Sequence, residues 1–211
     1  PTYYETIPRY FTAHRFFVDD ILSYRERSSL SGIFLLFQHA LFGGLVTYVL
    51  ARSFVSEIGL EALYTHLPYL QILGANYFSL FFLGSLLVLV VEMIALIWLY
   101  FPNAQLTHFN QALNLFTWIF HLDFIFVTLL ITLFFAKVSP TWFVILGLIY
   151  VIIWFASFNI TAWNASKKLG MKRTNYLLKT IVLHTILSAA GFIMLVLFQD
   201  FSTLLELITS V

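Results

Sequence analysis

Five ionisable side chains stand inside long apolar runs of this 211-residue sequence: His39, Glu92, His121, Asp123 and His184. Carboxylates and imidazoles can relay protons, hold cations or line a polar substrate pocket, and at membrane depth such groups are functional candidates on those grounds. The same groups have a structural use, as hydrogen bonds between helices that fix helix order at on the order of 1 kcal/mol each. His121 and Asp123 are two residues apart, so on a helix they point to different faces and do not form a ready-made dyad. Glu92 or Asp123 is therefore expected to be buried against a histidine from another span. No His-x-x-x-His or Glu-x-x-His pattern, phosphate-cradling glycine loop, nucleophile elbow or zinc-protease motif occurs. The sequence accordingly nominates no catalytic residue and no metal ligand.

The elements that must position these groups are membrane spans. Hydrophobic residues make up 61% of the chain and charged residues 10%, against about 25% charged in ordinary soluble domains. Mean hydropathy is +0.91. No segment between the apolar runs is long enough for a separate soluble catalytic domain. The central stretch Ala112–Ala136 is long enough to cross a bilayer. On the insertion scale its Asp123 costs roughly 2.5 to 3.5 kcal/mol while each Leu, Ile, Phe or Val returns about 0.3 to 0.6. Insertion stays favourable, but Asp123 needs polar neighbours from other helices.

The predicted fold is an all-α polytopic membrane protein with five spans, about 31–51, 77–101, 112–136, 142–163 and 180–198. Residues 1–28 form an amino-terminal cytoplasmic or interfacial segment, 29–198 the five-helix domain, and 199–211 a carboxy-terminal tail. Two amphipathic helices are expected at the membrane surface. The first, Phe11–Arg27, would set Phe16, Phe17, Ile21 and Tyr24 against Arg15, Asp19, Ser23 and Glu26. The second, 54–73, would set Ile58, Leu60, Leu63 and Leu67 against Glu57, Glu61 and Thr65, ending near Pro68. Gly43 and Gly44 suit close helix approach in the first span. The connection at Lys137, Ser139 and Pro140 is so short that spans three and four must be antiparallel neighbours. No secretory signal is expected, because the first 27 residues mix Arg, Asp, Glu and aromatics.

Five crossings put Arg9, Arg15, Arg25, Arg27, Lys167, Lys168, Lys172, Arg173 and Lys179 on one side, and Arg52 and Lys137 on the other. By the positive-inside rule the amino terminus is cytoplasmic and the carboxyl terminus outside, with a bacterial inner membrane as the expected location. His39, His121 and Asp123 then fall near mid-membrane, and Glu92 and His184 in the cytoplasmic third. The basic loop carrying Lys167, Lys168, Lys172 and Arg173 could attract anionic lipid head groups or serve only to secure orientation. The absence of cysteine excludes disulfides and thiolate metal sites, and a net charge of +1 offers no case for nucleic acid. Haem b would need two axial histidines; no span stacks two, and only His39 and His121 share a depth, so no cofactor is expected.

From residue 100 to 198 the chain resembles the Yip family of five-span membrane proteins. The resemblance is carried by the lead from Phe101-Pro102 to Asn114, an Ile- and Trp-rich fourth span, and Ala162-Trp163-Asn164-Ala165-Ser166-Lys167-Lys168 before a final span. It implies a helical membrane protein with a cytoplasmic amino terminus, no catalytic residues, and a role in membrane organisation or partner binding. The Asp-Leu-Tyr-Gly-Pro element of trafficking members is absent. The sequence thus points to a non-enzymatic accessory or scaffold subunit in contact with lipids and other membrane subunits. The competing readings are a small transporter or proton conductor using Glu92, Asp123 and the histidines, and an electron-transfer subunit.

Overall fold

The computed structural model describes residues 3–25, 28–71, 73–101, 106–139, 141–169, 173–182, 184–186 and 189. Among them the regular structure is all helical. In order it comprises α1 (Tyr3–Thr12), α2 (His14–Leu22), α3 (Leu30–Phe54), α4 (Glu57–His66), α5 (Tyr77–Tyr100), α6 (Phe109–Thr117), a 3-10 turn (Trp118–Leu122), α7 (Asp123–Phe135), α8 (Thr141–Lys168) and α9 (Arg173–Leu177), which continues into a π turn (Leu178–Val182). Four of these segments are long and apolar enough to cross a membrane: α3, α5, the continuous 27-residue run Phe109–Phe135, and α8. The expected fifth span, 180–198, lies largely outside the described residues, as do the tail 199–211 and the side chains of Glu26, Arg27 and Lys172.

The chain forms two compact units. Unit 1 takes Pro1–Gln38, Val91–Leu122 and Val151–Ile186; unit 2 takes His39–Val90, Asp123–Tyr150 and Leu187–Val211. The division passes through α3, α5 and α8 and falls between the 3-10 turn and α7. It also sorts the cations: Arg9, Arg15, Arg25, Lys167, Lys168, Arg173 and Lys179 belong to unit 1, Arg52 and Lys137 to unit 2.

In unit 1 the first amphipathic helix is shorter than its pattern suggests. It breaks at Ala13 and ends at Leu22, where Ser23 N–H bonds Asp19 O at 2.8 Å and Tyr24 turns left-handed at φ 57°. Its buried residues are Phe17, Val18 and Ile21, while Phe16 is 69% exposed, because the helix packs its apolar strip against α6. Phe17 meets Trp118 edge-on at 5.9 Å, and Gln111 Nε2 donates to Leu22 O at 3.1 Å. Gln111 also starts α6, its Oε1 accepting from the Thr107 and His108 backbone N–H groups at 2.8 and 3.1 Å. These are donors that a helix start otherwise leaves unsatisfied.

In unit 2, Ser56 caps α4 by accepting from Gly59 N–H at 3.0 Å, and the helix stops before Pro68. Leu60, Leu63 and Tyr64 are buried with Ala51 and Tyr77, whereas Ile58 is left exposed. Helices α3 and α5 run antiparallel in close contact: Gly43 faces Val88, and Thr47 faces Gly84. A Cβ on Gly43 would stand 2.6 Å from Val88 Cγ2, and one on Gly44 would collide with Ser85 and with the Phe81 carbonyl. Helix α8 returns antiparallel to α7 as expected, with Leu130 buried against Phe143. It extends beyond its expected end to Lys168, so Lys167 and Lys168 lie in a last helical turn rather than in a loop. There they complement the negative end of the helix dipole.

Overpacking a contact of this kind costs roughly 1 to 3 kcal/mol, and the Phe81 carbonyl is backbone that cannot rotate away. Gly44→Ala is therefore expected to lower the melting temperature in detergent. Gly147→Ala, with nothing within 4 Å of its new methyl group, should leave it unchanged.

Candidate functional site

The long third segment is not one uniform α-helix. It tightens to 3-10 geometry over Trp118–Leu122 and resumes as α7 with Asp123 as its first residue. Tightening a helix disturbs its i to i−4 ladder. In unit 1, Gln38 Nε2 donates to Phe120 O at 3.0 Å, supplying that carbonyl with a side-chain partner. Asp123 is the first residue after this tightened stretch.

In unit 2, Asp123 is engaged on both oxygens. His39 Nδ1 of α3 lies 2.7 Å from Oδ2, and the Tyr150 hydroxyl of α8 donates to Oδ1. The Asp123 side chain is 3% exposed. Tyr150 is held by Phe126, ring centroids 4.4 Å apart, and Phe124 packs edge-on against Phe42 at 5.3 Å. An imidazole with its proton on Nδ1 donates to the carboxylate in either charge state, so the triad is compatible with a neutral or a protonated His39. Its chemistry is that of a short, dry hydrogen-bonded chain. A cleft of about 470 Å³ in the same unit, lined by Leu45, Tyr48, Asn76, Tyr77, Phe78 and Phe81, includes none of the three.

Of the five ionisable residues singled out in the sequence, the structure brings His39 and Asp123 together. The other three belong to unit 1. His121 is buried between aromatic edges, 5.4 Å from Tyr10, 5.1 Å from Phe11 and 5.9 Å from Trp118. His184 stacks on Phe158 at 5.1 Å, and Glu92 is half-buried on α5. Among the described residues no group of three His, Asp or Glu side chains could hold a metal ion. Tyr150 was not singled out by sequence reasoning. The available signal was its position, as far beyond the Lys137 turn as Asp123 lies before it.

Unit 1 contains a second polar arrangement that the sequence did not suggest. His14 Nδ1 lies 2.9 Å from Tyr10 O and Nε2 lies 3.2 Å from Thr161 Oγ1, joining α2 to α1 and α8. The neutral tautomer with its proton on Nδ1 donates to the carbonyl and accepts from the Thr161 hydroxyl. Burial pushes the His14 pKa below its ordinary value, opposed by the Tyr10 carbonyl, and burial pushes the Tyr10 hydroxyl up to about 12. Of the basic residues, Lys168 pairs with Asp19 at 3.0 Å, while the Arg173 guanidinium lies 4.3 Å from the centre of the Trp163 ring, with Lys167 Nζ at 5.8 Å. Comparison of the chain with protein-family models, curated proteins and solved structures gave no match.

Removing a hydrogen-bond partner of a buried carboxylate leaves that charge uncompensated, at a cost of roughly 3 to 5 kcal/mol where the partner is itself charged and about 1.5 to 3 where it is neutral. His39→Leu should therefore destabilise the protein by several kcal/mol, and Tyr150→Phe by about 1.5 to 3, the range for a hydrogen bond to a charged group. Thermal unfolding of the single and double variants should show a non-additive coupling through Asp123. For His14 the folded pKa lies below the unfolded one, so its contribution is present above about pH 6.5 and is lost as pH falls through that value. Melting temperature in detergent should drop between pH 7.5 and 5.5, and His14→Gln should flatten that drop.

Proposed function

We propose that the chain is a non-enzymatic integral membrane protein, an accessory or scaffold subunit that packs against larger partners in a bacterial inner membrane. In this reading 180–198 is a fifth span, α2 and α4 lie at the two membrane surfaces, the amino terminus is cytoplasmic and the carboxyl terminus is outside. The observation that carries the non-enzymatic part is the closure of its charged centre: Asp123 is enclosed, both its oxygens are occupied, and the cleft of unit 2 lies elsewhere. A partner-binding role is supported by α5 and α8, of whose most apolar windows only 11% is buried, against 33% for α3 and 39% for Phe109–Phe135. Lipid covers such faces equally well by hydrophobicity, so the partner is expected to recognise shape and aromatic edges rather than apolarity. The excess of Lys and Arg in the segments assigned to the cytoplasmic side supports the orientation. The likeness to the Yip family over residues 100–198 suits the same role.

A second reading is proton transfer through His39, Asp123 and Tyr150. It is favoured by one feature, a hydrogen-bonded chain of three titratable groups from three helices. Liposomes carrying the protein and an internal pH dye distinguish the two: a proton leak abolished by Asp123→Asn in a folded variant would replace the scaffold reading.

The absence of natural cysteine makes topology directly readable. Single substitutions Ser139→Cys and Ser210→Cys should react with a membrane-impermeant thiol reagent from outside, and Ser23→Cys and Thr174→Cys only after permeabilisation. Ser210→Cys behaving like Thr174→Cys would reduce the spans to four. Mild detergent extraction should bring down a membrane partner in stoichiometric amount, and a chain that purifies alone would remove the scaffold role.

A further inference from the structure

We infer that Trp163, Lys167 and Arg173 form a binding site for the phosphate of an anionic phospholipid. The inference rests on the membrane reading above and gives the basic segment a specific geometry. Trp163 and Lys167 stand one helical turn apart at the end of α8, and Arg173 opens α9. Both cations converge on one indole, which is 47% exposed. Indole rings sit preferentially at head-group level.

The Arg173 guanidinium is fixed in two ways. Its Cζ lies 4.3 Å from the centre of the indole ring, and its Nε donates to Ser166 Oγ at 3.2 Å. Ser166 is fully buried and is itself held by donating to Trp163 O at 2.7 Å. With Nε taken by Ser166, the paired Nη groups are left for the bidentate contact that phosphate accepts. Lys167 adds a point charge on the same ring.

The neighbouring cations differ. Lys168 is neutralised by Asp19, and Arg9 and Arg25 share Asp20. Among the described residues no carboxylate lies within salt-bridge distance of Lys167 or Arg173. Two cations on one indole, without a carboxylate partner among the described residues, match a single anionic group. A zwitterionic head group would bring its own cation to the same place, which favours phosphatidylglycerol over phosphatidylcholine.

The test uses the full chain in nanodiscs of phosphatidylcholine doped with phosphatidylglycerol, with lipid retained after detergent extraction counted by native mass spectrometry. Wild type should retain phosphatidylglycerol selectively. Lys167→Gln and Arg173→Gln should each lower retention about fivefold, the effect of one basic residue at a membrane surface. Arg173→Lys should lose as much as Arg173→Gln, because the fork is gone though the charge remains, and Lys168→Gln should behave as wild type. Unfolding temperatures matching wild type establish that the variants are folded; Trp163→Phe, which keeps a ring, should fall between wild type and Arg173→Gln. Equal losses in Lys168→Gln, full retention in Arg173→Lys, or displacement of the lipid by millimolar inorganic phosphate would each overturn the assignment. A chain that fails to enter nanodiscs would overturn the membrane reading and this one with it, and is distinct from a chain that enters and shows no preference.

Discussion

The requirement that one carboxylate be satisfied away from water governs the centre of unit 2. Asp123 opens α7, which is otherwise made of Phe, Ile, Leu, Val and Thr. Its insertion cost of roughly 2.5 to 3.5 kcal/mol is of the same order as two hydrogen bonds to a charged group, each contributing about 1.5 to 3. The structure makes both bonds, to His39 and Tyr150. Three helices are thereby tied in register by a group that none of them could carry alone.

The helix tightens to 3-10 geometry just before Asp123 without being interrupted. Within unit 1, Gln38 of α3 donates to the Phe120 carbonyl of the tightened turn. Elsewhere α3 uses glycines rather than polar groups, letting α5 come close enough for Val88 and Ser85 to fill the space where side chains would stand. Polar ties and small-residue contacts do different work here: the first fix which residue meets which, and the second fix how near.

Spans were legible wherever hydropathy alone decides. The second, expected at 77–101, is found at Tyr77–Tyr100. So was the return of α8 beside α7, because five residues at the turn allow nothing else. The 3-10 segment was not legible: Trp118 to Leu122 is as apolar as what surrounds it, and its geometry depends on Gln38, 82 residues away from Phe120. Tyr150 was missed because a lone tyrosine in an Ile-rich run carries no chemical signature among 11 tyrosines. Its role appears only once the hairpin register is known. The first amphipathic helix was expected to present Phe16, Phe17, Ile21 and Tyr24 on one side; Phe17 and Ile21 are buried together with Val18 on the helix that packs against α6, while Phe16 is exposed, a choice that periodicity cannot make because protein and lipid are both apolar. Lys167 and Lys168 were read as loop because charge ended the hydropathy run before it ended the helix.

The spacing of the triad along the chain also bears on biosynthesis. His39 precedes Asp123 by 84 residues and Tyr150 follows it by 27. At ribosomal speeds of about 5 to 20 residues per second, the acid waits roughly one to five seconds for its second ligand. During that interval the imidazole of α3 is the partner already synthesised, and the hydroxyl of α8 is the one still to come.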